Sequence, residues 1–216
     1  MGKKIRIGWD ISHLEFTIDD HYYYSVLKAK IIESGASVTT LKSFEYLKGF
    51  DVLVLNYPEK SFTRREVTEV MNFIEKGNRV VVCGYYNNED GIADCINSIS
   101  VHFGLTLKKD CVRDKLNNHR GDELLLVTSR VLCHDYKVKK ILLPCCSSIK
   151  IRGKSNTVVA MSQGSTSLSR TEEIIAAQSN FGRGEFILIG TCVFWDNYSI
   201  SKYSNLRFSI NLLLGS

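Results

Sequence analysis

Two hydrophobic rhythms alternate along the first half of this chain. Short apolar runs occur at Ile5–Trp9, Ser37–Leu41, Asp51–Asn56 (DVLVLN) and Arg79–Gly84 (RVVVCG). The last two runs are nearly continuous, as expected of strands covered on both faces. Between them the period becomes helical. Residues 21–34 place Tyr24, Leu27 and Ile31 on one face, and Gly35 is a stop. Thr63-Arg-Arg-Glu66 reads as a capping box opening a helix that carries Val67, Val70, Met71 and Ile74 on its apolar stripe and ends at Gly77. A third helix, 91–103, carries Ile92, Cys95, Ile96 and Ile99 and closes at Gly104. Apolar strands alternating with amphipathic helices predict an α/β fold with a mostly parallel sheet.

The second half reads differently. Short strands are expected at Leu105–Lys108, Leu124–Thr128, Ile141–Leu143, Ile149–Ile151 and Thr157–Met161, with polar links between them. They suggest a β-rich extension or insertion over 105–160 within one domain spanning 1–216. The Ser-rich stretch 162–170 reads as a surface loop. Ile174–Gln178 and Phe186–Gly190, joined through FGRG, form a hairpin or bulged pair. A closing helix near 201–214 would place Leu206, Ile210, Leu213 and Leu214 on one face.

Composition narrows the class. The 216 residues are 44% hydrophobic and 24% charged, enough for a core without staples. The net charge of +5 draws on KVKK at 137–140 and KIRGK at 150–154. No aromatic-interleaved motif accompanies these runs, so a solvated basic face accounts for them and nucleic acid is not an expected partner. Seven cysteines, an odd number without a CxxC, fit reduced thiols in a cytoplasmic protein. No apolar run reaches the ~18 residues of a membrane span. MGKKIRIG leads straight into a strand, so no leader is expected.

In an open parallel sheet, ligands bind beyond the carboxyl ends of the strands. The turn DISHLEFTIDDH after the first strand is dense in acids and histidines. Asp10, His13 and Glu15 are therefore expected to line a pocket with Tyr57 after the third strand, Tyr85 and Asn87 after the fourth, and Asp196 beyond FILIG. Helix N-termini at that edge would favour an anionic or hydroxyl-rich ligand. A metal reading draws on Asp10, His13, Glu15 and His21, whose donor types suit a divalent ion. Against it, nothing in the spacing imposes a geometry, and a hydrogen-bonded turn uses the same residues. Trp9 and Tyr22–Tyr24 could stack on a sugar or base, or belong to the core. Neither GxGxxG nor GxxxxGK[ST] occurs, so no phosphate loop is expected.

Four segments, in order, resemble one known group: DISHLE at 10–15, SFTRREVTEVMNFIEKGNRVVVCG at 61–84, INSISVHFGLTLKKDCVRD at 96–114, and GRGEFILIGTCVFWDN at 182–197 with the later Asn205. The chain is similar to the class I glutamine-amidotransferase-like superfamily. Within it the chain resembles the GIFT-type domain of gliding, intraflagellar-transport and ABC-transporter-associated proteins. The resemblance implies a flavodoxin-like three-layer sandwich. Thr191-Cys192 departs from the acidic residue this branch often places there. True amidotransferases carry a nucleophilic Cys on a strand-to-helix elbow, with a His and a Glu from later in the chain. Cys83 is the candidate at that elbow, but the flanks lack Gly-x-Cys-x-Gly, no His-x-Glu follows, and Tyr85 would take the elbow tip. Cys133-His134-Asp135 would alternate across a strand and so not meet as a dyad.

The expectation is a domain without a recognisable triad and without a cofactor. It would bind a small polar or carbohydrate-like ligand, or a protein partner, at the carboxyl edge. The alternatives are a Cys83-dependent amidase or hydrolase and a metal-assisted hydrolase using the 10–21 turn.

Overall fold

The computed structural model describes residues 4–161, 165–166 and 173–215. Its centre is a seven-stranded sheet. In chain order the strands are β1 (Arg6–Asp10), β2 (Ser37–Leu41), β3 (Val52–Asn56), β4 (Arg79–Cys83), β5 (Asn156–Ala160), β6 (Ile174–Phe181) and β7 (Gly184–Ile189). They lie side by side as β5-β6-β7-β4-β3-β1-β2. Strands β2, β1, β3, β4 and β7 run parallel. The β6–β7 hairpin reverses direction, and β5 pairs antiparallel to β6. The expected β-rich extension is present as additional small antiparallel sheets: Leu105–Leu107 with Ile149–Ile151, and Asp122–Thr128 between Asn118–His119 and Ile141–Pro144. The segment at 156–160 differs from expectation. It joins the main sheet as its edge, because the hairpin exposes a free backbone row on β6 that β5 satisfies.

Side-chain alternation sends the strands' apolar residues into two cores. On one face Ile7, Trp9, Val54, Val81 and Ile187 pack against helices α1 (His21–Glu33) and α4 (Asn205–Leu214). On the other, Leu53, Leu55, Val82 and Leu188 meet α2 (Arg64–Glu75) and α3 (Ile92–Ser100). A buried leucine or isoleucine stabilises by about 1.5–3 kcal/mol, so strands apolar on both sides are held from both.

The helices begin and end where their caps dictate. Asp20 accepts the amides of Tyr22 and Tyr23 at the start of α1. The capping box of α2 is complete, with the Thr63 amide on Glu66 Oε2 at 2.7 Å and the Glu66 amide on Thr63 Oγ1 at 3.3 Å. Its buried stripe is Val67, Val70, Phe73 and Ile74, with Met71 only partly covered. α4 starts at Asn205 rather than 201, and its buried face is rotated from the expected one. Phe208, Leu212 and Leu213 are buried, while Leu206, Ile210 and Leu214 are half-buried. The cause is two polar residues that face inward. Asn205 brackets Leu142, accepting its amide at 2.7 Å and donating to its carbonyl at 2.8 Å. Asn211 donates to the His134 and Tyr136 carbonyls. The 162–170 loop falls mostly outside the described residues; Ser165–Thr166 pairs with Arg113–Asp114.

At the end of β7 the 147 segment crosses the sheet in contact with Gly190. The Ser147 amide donates to the Gly190 carbonyl at 3.0 Å, and a Cβ on Gly190 would lie 2.0 Å from the Ser147 carbonyl oxygen. Both atoms are backbone and cannot step aside. Gly190→Ala is expected to cost about 1–3 kcal/mol, as overpacking does. Urea denaturation checks this, and a midpoint unchanged from the parent would refute it.

Candidate functional site

The turn after β1 folds inward. Asp10 and His13 are almost wholly buried and Glu15 nearly so. His13 Nδ1 lies 2.7 Å from Asp10 Oδ2, and Ser12 Oγ donates to Asp10 Oδ1 at 2.7 Å. The His13 amide donates to Glu15 Oε2 at 2.8 Å, and Leu14 takes a left-handed φ of 65° between them. The imidazole stacks on Phe62 at 4.2 Å and leans on Phe44 at 5.3 Å. Its Nε2 faces Glu66 Oε1 at 3.5 Å, at the N-terminus of α2. Burial opposes charge on Asp10, but hydrogen bonds from His13, Glu15 and Ser12 outweigh it and hold this carboxyl below its usual range. Glu15 goes the other way. Burial and the adjacent Asp10 push it up to about 9, so it is protonated at neutral pH.

These three residues are the described group whose donor types and spacing could suit a metal, with ligand atoms within 4.8 Å of one another. The side chains already bond to each other and to their own turn. They are closed to solvent, which leaves no open position of the kind a catalytic metal needs for water. His21 is not with them; it is the exposed first residue of α1.

The pocket at this edge is built beside that turn. It measures about 360 Å³ and is walled by Phe16, Tyr23, Tyr24, Tyr57 and Tyr85, with Glu89, Asp90 and Asp196 as its acids and Cys192 and Val193 completing it. The rings touch in sequence: Phe16–Tyr23 at 5.9 Å, Phe16–Tyr57 at 5.0 Å and Tyr57–Tyr85 at 5.7 Å between centroids. Tyr57 Oη donates to Asp90 Oδ2 at 2.9 Å. Burial first, and Asp90 second, raise its phenol further above the ordinary value. Asp196 is raised by burial as well, against the amide that Ser199 donates to it at 2.8 Å. Left-handed backbone gathers here in non-glycine residues: Tyr57 at φ 66°, Asn87 at 55°, Asn88 at 54° and Asp90 at 52°. Such conformations are uncommon outside glycine and concentrate at functional sites.

Of the residues expected together, the pocket collects Tyr57, Tyr85 and Asp196. Asp10, His13 and Glu15 do not line it. They hold the turn that carries Phe16 to it, through the 2.8 Å bond from Trp9 Nε1 to the Phe16 carbonyl. Asn87 is exposed, its amide bonded to the Asp110 carbonyl at 2.8 Å. Sequence reasoning did not place Phe16, Glu89 or Asp90 at this site; the aromatic directly after DISHLE and the acids of the NNED turn were the available signal. Trp9 belongs to the core, Tyr24 packs in the core and also reaches the pocket wall, Tyr23 lines the pocket, and Tyr22 does not.

The helix N-termini at this edge are already occupied. Asp20 takes the first amides of α1, Asn88 Oδ1 those of Ala93 and Asp94 in α3, and Thr63 with Glu66 closes α2. The expected attraction for an anion therefore meets spent donors. A larger polar cleft of about 510 Å³ lies at the opposite, amino edge. Its Arg79 is held by Glu185 and by the Leu212 carbonyl, so it serves as a brace.

Cys83 is fully buried at the end of β4, and burial pushes its thiol well up. Tyr85 does not form an elbow tip: it is extended, at φ −156° and ψ 170°. Cys133-His134-Asp135 lies in a bend rather than a strand, and His134 turns at φ 55° to pair Nε2 with Gln178 Oε1 at 2.9 Å.

Two outcomes follow from these geometries. Glu15 has a folded pKa above its unfolded one, so the fold binds its proton more tightly and loses stability as pH rises from about 4.5 towards about 9. Glu15→Gln keeps an acceptor for the His13 amide and should flatten that decline; parallel slopes of wild type and variant in denaturation across this range would refute it. Iodoacetamide should leave Cys83 among the slowest thiols of the native protein, as mass spectrometry of peptides can read. Preferential labelling of Cys83 would contradict its assigned environment.

No family model matches the chain. An uncharacterised protein of Aquifex aeolicus (strain VF5) is 42% identical over 219 residues, covering 97% of this chain and 93% of the relative. Among solved structures, the mmIFT52 N-terminal domain superposes with a TM-score of 0.80 at 17% identity over 95% of both chains. The exo-beta-1,4-mannosidase Op5Man5 from Opitutaceae bacterium strain TAV5 reaches a TM-score of 0.56 at 9% identity, over 98% of this chain but 36% of its own. These identities speak to the fold alone, and the first likeness is consistent with a GIFT-type domain. No helix among the described residues is long and apolar enough to cross a membrane. By its sequence identity over nearly its whole length, the chain belongs to the family of the Aquifex aeolicus protein.

Proposed function

We propose that this chain is a binding module of the glutamine-amidotransferase-like, flavodoxin-like three-layer class, that it has no Cys-His-Glu triad, and that it takes a small polar ligand at the carboxyl edge of its sheet. The observation that carries this reading is the 360 Å³ pocket, in which a chain of aromatic rings faces three carboxyl groups. Its size falls in the range of small-molecule sites, and its mixture of ring faces with a few polar groups is what such sites use. Rings for stacking and carboxylates for accepting hydroxyl groups also suit a carbohydrate-like ligand. Tyr57, Tyr85 and Asp196 serve in this reading as contacts. Asp10, His13 and Glu15 act as the support that places Phe16.

A protein partner is the second reading, favoured by Leu14 and Tyr22, which stand exposed on the same 10–23 segment at 67% and 78%. The pocket favours the first, because a concave volume of about 360 Å³ selects for a ligand small enough to enter it.

Ligand-observed NMR with a set of sugars, amines and small acids tests the proposal. At least one class should bind. Phe16→Ala should weaken that binding about ten-fold while changing stability by less than about 1 kcal/mol, since Phe16 is half in solvent. No binder at millimolar concentration, or binding indifferent to Phe16, would end it.

A further inference from the structure

We infer that the ligand of this pocket is a small organic ammonium compound: the cation rests on the faces of Phe16, Tyr57 and Tyr85 and is neutralised by Glu89, Asp90 and Asp196. This rests on the reading of the pocket as a ligand site and names the chemistry it selects.

Charge is the first argument. The lining holds three carboxyl groups and no lysine, arginine or histidine, in a chain whose net charge is +5. None of the three acids is in an ion pair among the described residues, whereas other surface acids such as Asp19, Glu69 and Asp94 are. Lys202, on the turn beyond Asp196, lies 3.6 Å from the centre of the Tyr198 ring and donates to the Tyr198 carbonyl. Asp196 is buried and feels the charge of Lys202 without an ion pair, while Glu89 and Asp90 stand exposed at the rim. With none of the three ion-paired, the pocket is left short of a positive charge.

The rings are the second argument. A cation is attracted to an aromatic face within about 6 Å of its centroid. Phe16 and Tyr57 are 5.0 Å apart and Tyr57 and Tyr85 5.7 Å, so one ammonium group can lie near several rings at once. The opposite charge does not suit this edge. An anion would need free donors, and the first-turn amides of α1 and α3 are spent on Asp20 and Asn88.

Isothermal titration separates the possibilities, with three probes: choline, dimethylbutanol as its uncharged carbon isostere, and glucose as a neutral hydroxyl-rich compound. The variant is Asp90→Asn. Asparagine keeps the size and the acceptor for Tyr57 Oη, tolerates the φ of 52° at this position, and removes one charge. Choline should bind at least ten-fold more tightly than its isostere, weaken with added salt, and lose at least five-fold in Asp90→Asn. Choline binding unaffected by Asp90→Asn, glucose or the isostere binding as well as choline, or no choline binding at all would each overturn the cationic assignment. Glucose bound alone would do so while leaving the pocket a ligand site. If the wider ligand screen is empty as well, the ligand-site reading falls too.

Discussion

The carboxyl edge of this molecule depends on a constraint in its first turn: two carboxyl groups, out of water and close enough to interact, cannot both be charged. Desolvation and mutual repulsion decide the outcome. Asp10, with donors from Ser12 and His13, keeps its charge; Glu15 keeps its proton. Once that arrangement is set, the chain must reverse at Leu14. The reversal brings the Phe16 carbonyl to Trp9 Nε1 and the His13 carbonyl to the amide of Glu59. Two loops from neighbouring strands are thereby tied together, and the pocket wall hangs from them.

Below this edge the sheet provides the rigidity that a strained rim requires. The β1, β3, β4 and β7 strands are apolar on both sides and are clamped by two cores, so their ends are fixed points. A buried chain of hydrogen bonds, from Asn56 Nδ2 to Tyr24 Oη and from Trp195 Nε1 to Asn56 Oδ1, crosses from α1 through β3 to the segment after β7. Being fully buried, it leaves little freedom for these three elements to slide. Left-handed residues cost free energy that only such an over-determined frame can hold. Their concentration at Tyr57 and at Asn87–Asp90 fits a rim supported from beneath.

The frame was largely legible in the sequence. Continuous apolar runs located β3 and β4, the Thr63–Glu66 pattern located α2, and FGRG located the hairpin. What escaped had a common cause: irregular turns have no period. In a strand, alternation says which side chain faces where. Between Asp10 and Asp20 nothing does, so the residues with the most evident chemistry turned inward and Phe16 took the pocket. The same holds for Asn87, expected inside and found outside, against Glu89 and Asp90 two and three positions on. Buried asparagines escaped for another reason. Nothing in the local pattern marks Asn205 and Asn211 as inward-facing, because their partners are the backbones of Leu142 and of 134–136. Sequence-distant carbonyls leave no trace in local pattern.

The sign of the field at the edge shows how far fold-level reasoning reaches. Parallel α/β sheets aim helix N-termini at this rim, and each contributes roughly half a positive charge that fades within a turn. That general term favours anions. Here each terminus has been answered locally, by Asp20, by Asn88 and by the Thr63–Glu66 box, and the loop between β4 and α3 adds two acids. A full carboxylate at the pocket wall outweighs a capped partial charge one turn away. The topology therefore determines where the pocket forms, while the identity of a few turn residues reverses the polarity that the topology alone would impose. Two chains with this fold could bind opposite charges at the same place, and the difference would lie in side chains such as Asp90, outside the elements that define the fold.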